Sequence, residues 1–188
     1  MNIEKVDYGT VIKFGTWSDF NAKLQLMGQC FDDVVNSVDE NGVSLLEKCI
    51  VARKFDLARE FLTKNAEVNI ITKEGYNEFH LIAANIRYDG ALDIAKMLLD
   101  RDVSLMVRDK KYGNTAFFAL CMEIFKIRSL ESLEFLEVCF ERVDELDIRN
   151  KAGISIRMLI GERGTERLKQ MMEEKSWQPS NRLWSLTL

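Results

Sequence analysis

Four glycines divide the sequence into segments that share one outline, and this repetition constrains the fold more than any other feature. Each outline has a charged or polar stretch that ends in glycine, then Ser, Asn or Thr two residues later, then an apolar run. The glycines lie 33, 38 and 40 residues apart, at Gly42, Gly75, Gly113 and Gly153. Because the outline recurs four times, we expect a chain of similar structural units.

Within each unit the sequence predicts two helices. The first opens directly after the glycine turn, at an N-cap residue whose side chain can accept a backbone amide proton. These N-cap residues are Ser44, Asn77, Thr115 and Ser155. The second helix is an amphipathic segment: FDLAREFLTK, ALDIAKMLLD or ESLEFLEVCFE. In the middle segment one face carries the apolar residues Leu92, Ile94, Ala95, Leu98 and Leu99.

A turn followed by two helices at a period near 33 residues resembles the ankyrin repeat. The motif G-x-T-P-L-H-x-A of that family is matched best by GYNEFHLI, in which His80 takes the histidine position. GNTAF at 113–117 matches next best, and AEVN at 66–69 resembles the family's A-D-V-N ending. The resemblance covers residues 8–175, but the proline of the motif is replaced in every unit, by Leu45, Glu78, Ala116 and Ile156.

The resemblance implies an all-α fold: an ankyrin-repeat solenoid of stacked helix-turn-helix units with short β-turn fingers. We expect a single domain over residues 1–188, with an N-terminal capping unit at about 8–38 and a C-terminal tail at 176–188. The repeats are expected at 39–71, 72–108, 109–149 and 150–175. The extra residues of the two longer units are placed between their helices, at 85–90 and 126–132. The alternatives are another helical-hairpin solenoid, or a helical bundle whose glycine spacing is coincidental.

Two further expectations concern the C-terminal tail and the first helix of the last unit. The tail SWQPSNRLWSLTL is apolar, and we expect it to fold back as a cap over the last repeat, with docking on another molecule as the alternative. Gly164 is expected to end the first helix of the last unit in the left-handed conformation.

Composition and charge narrow the function classes. The net charge is −4, so neither nucleic acid nor a membrane surface is an expected partner. No apolar run approaches the roughly 20 residues of a membrane helix, and the N-terminus lacks the apolar stretch of a signal peptide. We therefore expect a cytoplasmic protein that is monomeric when unbound. With one histidine and no C-x-x-C pair, we expect no metal site and no cofactor.

His80 has two interpretations. Its family position implies a structural role, in which the His80 side chain hydrogen-bonds to the backbone of a neighbouring turn and ties adjacent units together. Structural roles are also expected for the turn glycines Gly42, Gly75, Gly113 and Gly153. The alternative is a thiol-dependent enzyme in which His80 serves as general base for a nearby cysteine. The candidates Cys49 and Cys121, like Cys139, lie in apolar segments where a free cysteine packs as a small core residue. We therefore expect no catalysis.

The ankyrin resemblance implies a non-catalytic interaction module that binds another protein through its concave face and finger turns. A narrower hypothesis is a neutraliser, an immunity-type inhibitor of a toxin or enzyme. The finger candidates are Val43, Lys73, Tyr76, Lys111, Tyr112, Asn114 and Ile154. The first-helix candidates are Lys48, Asn85 and Glu123.

Tyr76 and Tyr112 stand on consecutive turns, where they are predicted to form one aromatic anchor. The alternative is that each tyrosine packs on the neighbouring finger. Glu134, Glu137 and Glu141 follow one face of a second helix. This face is expected to be solvated, with docking of a basic partner as the alternative.

Overall fold

The computed structural model describes residues 1–177, with the backbone alone for Trp177. Within this range the chain is all-helical, which confirms the predicted α class, and its extended pairing is limited to three isolated antiparallel bridges. No helix in this range is long and apolar enough to cross a membrane. The helices are α1 (Tyr8–Phe14), α2 (Trp17–Met27), α3 (Phe31–Val34), α4 (Leu45–Val51), α5 (Phe55–Thr63), α6 (Glu78–Ala83), α7 (Ala91–Asp100), α8 (Ala116–Ile127), α9 (Leu130–Glu141), α10 (Ile156–Arg163) and α11 (Glu166–Trp177).

The helices pack in two rows. In the first row α1 contacts α4, α4 contacts α6, α6 contacts α8, and α8 contacts α10. In the second row α5 contacts α7, which contacts α9, and each second-row helix packs on the first-row helix that precedes it. One continuous apolar core lies between the rows. Its largest fully buried side chains are those of Phe20, Phe61, Phe79, Phe117 and Phe140.

All four predicted N-caps are confirmed. The side chains of Ser44, Asn77, Thr115 and Ser155 each accept the backbone amide three residues later, at the start of α4, α6, α8 and α10. In α4 and α6 the side chain of that third residue bonds back to the cap amide, which closes a capping box. The first row of helices therefore begins where the local sequence predicts.

The glycine turns form four protruding loops, which we call fingers one (39–43), two (72–76), three (109–114) and four (150–154). In each finger the amide of the first residue donates to the carbonyl of the last, over 2.9 to 3.0 Å. The finger glycines have φ between +70° and +82°, a backbone conformation that costs glycine no steric strain. Finger three is one residue longer than the others, because Tyr112 precedes its glycine.

The structure corrects two local predictions. In the third unit the extra residues do not lie between the helices: α8 runs to Ile127 and α9 starts at Leu130, so the insertion lengthens both helices. The sequence there contains no glycine or proline to end α8 earlier. Gly164 ends α10 but with φ −63° and ψ 157°, because the chain must enter α11 through Thr165, whose hydroxyl accepts the amide of Leu168. In the second unit, residues 85–90 do lie between α6 and α7, as predicted.

The predicted cap formed by the tail lies almost wholly outside the described residues. Ser176 and Trp177 belong to α11, and residues 178–188 are not described.

Candidate functional site

The four fingers stand side by side, joined by one backbone hydrogen bond between each neighbouring pair. The amides of Lys73, Lys110 and Lys151 donate over 2.8 Å to the carbonyls of Asn41, Glu74 and Tyr112, respectively. These bonds fix the spacing and the register of the finger row. The row is therefore a rigid surface, so little conformational entropy is lost when something binds to it.

Each finger is also held from within by its first side chain. The carboxylate or amide oxygens of Asp39, Asp109 and Asn150 each accept two amides of their own turn. In finger two the Thr72 hydroxyl accepts the amide of Tyr76 over 3.0 Å. Sequence reasoning missed these anchors, although a short polar residue three or four positions before a glycine is a known turn pattern.

His80 links α6 to the finger of the following unit. Its ring is buried, with Nε2 3.4 Å from the Asn114 carbonyl of finger three and Nδ1 3.3 Å from the amide nitrogen of Asn77. In the tautomer protonated at Nε2, Nε2 donates to the Asn114 carbonyl and Nδ1 accepts from the Asn77 amide; in the tautomer protonated at Nδ1, that nitrogen donates to the Asn77 Oδ1 over 2.9 Å. Burial lowers the pKa of His80 and so favours the neutral ring. This is the contact that the structural interpretation of His80 expects.

The environments of three of the cysteine thiols differ from those of nucleophilic thiols. Cys49, Cys121 and Cys139 are fully buried, and burial raises the pKa of each thiol. Thiol nucleophiles need the opposite setting, accessible and with a lowered pKa. Among the described residues no cysteine hydrogen-bonds to His80, and no group of three His, Cys, Asp or Glu side chains is arranged to hold a metal ion.

The two finger tyrosines have different environments. Tyr112 is 53% exposed, and the Lys111 ammonium lies 4.8 Å from the centre of its ring. Tyr76 is half-buried, with its ring edge-on to the His80 ring at 5.4 Å between centroids. Tyr76 therefore contributes to packing within its own unit, and Tyr112 alone presents most of its ring to solvent.

A groove of about 500 Å³ brings four of the predicted binding residues together. It lies between fingers three and four on one side and α8 and α10 on the other, and it contains Lys111, Tyr112, Asn114 and Ile154. Sequence reasoning missed several other residues of this groove: Phe118, Met122, Asn150, Lys151, Leu159 and Arg163. The groove shows that finger tips and first-row helices share one face of the protein.

The remaining candidates lie apart from this groove. Val43 and Lys48 line a separate groove of about 430 Å³ beside α1, where the Lys48 ammonium is 3.0 Å from the Asp39 carboxylate. Lys73 is exposed on finger two. Glu123 lies on α8 and is paired with Lys126. The glutamates of α9 behave as the solvated interpretation expects, since Glu134 and Glu141 are exposed and Glu137 is half-buried.

The placement of Asn85 on a first helix is wrong. Asn85 follows the end of α6 and is buried. Its Oδ1 accepts from Arg53 Nε over 3.1 Å, and its Nδ2 donates to the Leu81 carbonyl over 2.9 Å. Because both ends of the amide are engaged, this side chain is not available to a partner.

The first-row helices expose an apolar stripe that sequence reasoning did not identify. Its residues stand four or seven positions after the N-caps, so they recur on the same side of successive helices. They are Val51, Leu81, Ala84, Ala119 and Met122, all exposed or half-buried. The N-cap spacing, read together with the four-residue and seven-residue steps, is the pattern that would have found them.

The fingers and the first-row helices thus combine the exposed ring of Tyr112, several cations and an apolar stripe. Aromatic and apolar groups surrounded by polar ones are typical of protein interfaces. The sequence matches no protein-family model, and a search of the curated proteins finds none similar to it.

Proposed function

We propose that this chain is an ankyrin-repeat solenoid and that it binds another protein through the finger row and the first-row helices. Four features support this architecture: two rows of paired helices, a left-handed glycine in every finger, side-chain N-caps two residues after each glycine, and the bond from His80 to the next finger. The missing proline of the family motif costs little here, since the N-caps already start each helix.

The observation that carries the proposed function is the groove beside fingers three and four. Tyr112 and Ile154 stand 53% and 39% exposed on two fingers that are bonded to each other, and Met122 faces the same groove from α8. Exposed apolar side chains that cluster in this way, with polar groups around them, mark interaction sites. A rigid aromatic side chain at the centre of such a site is the usual energetic anchor.

The proposed mechanism is stoichiometric: the protein covers or positions its partner and needs no moving part. A narrower form of the proposal is a neutraliser that blocks the active surface of a toxin or enzyme. We also propose that the protein is monomeric when unbound and is not an enzyme; the second point is supported by the burial of Cys49, Cys121 and Cys139, which lack the accessible setting of a nucleophile. A cytoplasmic location is supported by four cysteines that are all free, one of them exposed.

The test is affinity capture with the purified chain as bait, followed by calorimetric titration of the captured protein. Tyr112→Ala is expected to weaken binding at least about tenfold, a loss of about 1.4 kcal/mol or more. The control is the double charge reversal Glu134→Lys/Glu137→Lys on α9, which is expected to leave the affinity unchanged. If only the α9 variant loses affinity, the partner binds the second row and the proposed site is wrong.

A further inference from the structure

Fingers three and four, together with the residue that precedes each of them, carry a cluster of cations without ionic partners. The cluster, which we call the basic cluster, consists of Arg108, Lys110, Lys111, Arg149 and Lys151, all exposed. None of the five forms a salt bridge within residues 1–177. This concentration of positive charge stands out in a chain whose net charge is −4.

Part of the basic cluster helps to hold the fingers, but this does not cancel its charge. Arg108 donates to the Gly113 carbonyl over 3.0 Å and to the Arg149 carbonyl over 2.8 Å, and the Lys151 ammonium donates to the Lys110 carbonyl. These acceptors are neutral. The one acid of these two fingers, Asp109, is buried and engaged with the amides of Tyr112 and Asn114. The tips therefore keep a positive field toward solvent.

The basic cluster borders the apolar groove directly. Phe118 and Leu159 form the groove's floor, with exposed fractions of only 6% and 3%. Tyr112 and Ile154 rise from the two fingers, and Lys111 and Lys151 stand beside them. A ligand that fits this surface carries an apolar side chain for the groove and negative charges next to it.

We infer that fingers three and four bind an acidic segment of the partner, with one of its apolar side chains inserted in the groove. The inference rests on the proposed function and adds the chemistry of the partner. Steering by opposite charge raises association rates, and an inserted side chain slows dissociation. A nucleic acid is the less suitable occupant, because its phosphate backbone offers no apolar side chain for the apolar floor of the groove. The one acid of the lining, Glu162, is paired with Arg163.

The experiment uses random peptides displayed on phage, selected on the full-length protein. The enriched peptides are expected to contain aspartate and glutamate around a leucine, phenylalanine or similar side chain. Their affinity is then measured by fluorescence polarisation with a labelled synthetic copy. Lys110→Glu/Lys111→Glu is expected to weaken binding at least about tenfold, and Tyr112→Ala by a similar factor. Added salt is expected to weaken wild-type binding.

The matched control is Lys5→Glu/Arg167→Glu, which changes the net charge equally at two exposed positions that are neither on the fingers nor in the groove lining. Binding by this variant is expected to stay within about twofold of wild type. Circular dichroism melts check that each variant is folded. An equal loss in both double variants would mean that only total charge matters, which overturns the inference.

Other outcomes also decide against the inference. They are enrichment of peptides without acidic residues, absence of any enriched motif, or tighter binding of a single-stranded oligonucleotide at the same fingers. Displacement of the labelled peptide by a synthetic copy of residues 178–188 would assign the groove to the chain's own terminus. If a captured partner binds normally to Lys110→Glu/Lys111→Glu but poorly to Tyr112→Ala, the proposed function stands and the acidic segment does not.

Discussion

The carboxyl group of Glu47 is fully buried in α4, and this burial makes the stability of the protein depend on pH. One oxygen, Oε2, accepts the Ser44 amide over 2.7 Å, whereas Oε1 has no hydrogen-bond partner among the described residues. Burial raises the pKa of Glu47 to about 7; the Ser44 amide opposes the shift, and the charge of Glu78, buried on α6, adds to it. The folded protein therefore holds a proton that the unfolded chain has already released.

The sign and size of the effect follow from this difference. With an unfolded pKa near 4.5, the protonated Glu47 stabilises the fold fully below about pH 4.5, and the contribution disappears as the pH rises to about 7. At about 1.4 kcal/mol per pKa unit, the difference between 4.5 and about 7 makes the loss at most about 3.5 kcal/mol. The burial-raised pKa of Glu78 acts in the same direction. His80 acts in the opposite direction, since its lowered pKa removes stability as the pH falls below 6.5.

Glu47→Gln isolates the contribution of this one carboxyl group. Glutamine keeps the shape and still accepts the Ser44 amide, as capping boxes allow. We expect the variant to gain stability relative to wild type as the pH rises, from no gain at about pH 4 to about 1–3 kcal/mol at about pH 8. The assay is urea unfolding across this range, followed by circular dichroism. Glu134→Gln, on exposed α9, is the control. If the Glu47→Gln and wild-type stability curves run parallel across the range, the buried carboxyl group does not titrate as argued.

Three further predictions concern the core and the fingers. His80→Ala is expected to destabilise the protein by about 1–3 kcal/mol in urea unfolding. Partner binding by the folded fraction should persist, and lost binding at wild-type stability would contradict the structural role. Cys121→Phe is expected to cost about 1–3 kcal/mol by overpacking, and Cys121→Ala less; a thiol reagent is expected to modify only Cys30 in the folded protein, and fast reaction at Cys121 would revive the enzyme hypothesis. Tyr76→Ala is expected to lower stability by about 0.5–1.5 kcal/mol through the lost contact with His80, whereas Tyr112→Ala leaves the melting temperature nearly unchanged; equal melting temperatures for both variants would show that Tyr76 does not pack as described.

The parts of the fold that could be predicted from sequence are those with local causes. Gly42 and its counterparts take positive φ because glycine alone does so without strain, and Ser44 starts a helix because its hydroxyl reaches an amide three residues away. Each of these causes lies within a few residues of its effect. The environments of Asn85 and Tyr76 could not be predicted in this way. Asn85 is bonded to the distant Arg53, and the environment of Tyr76 depends on the orientation of the His80 ring.

Contacts between units could not be predicted from the sequence for a different reason. Their partners lie 32 to 43 residues apart, and only the stacking of the helices brings them together. Arg101, which follows α7, donates to the Leu62 and Ala66 carbonyls at the end of α5. Arg142, which follows α9, donates to the Leu99 carbonyl of α7, and Lys175 donates to the Phe140 and Val143 carbonyls at the end of α9. The last carbonyls of a helix lack partners within it and attract cations, so each second-row helix is capped by the next unit.

These caps explain why a cation recurs immediately after the second helix of successive units. Arg101 and Arg142 are the first residues beyond α7 and α9, and Lys64 is the first beyond α5. Lys64 has a different contact from the two arginines. Its ammonium lies 5.8 Å from the ring centre of Trp17 in α2 instead of capping a helix. A basic residue at the end of an amphipathic helix is an ordinary local feature, favourable to that helix alone. Once the helices stack in a row, the same residue also holds one unit to the preceding one. The recurrence of a cation at this position in successive units therefore indicates stacking, whereas a single occurrence does not.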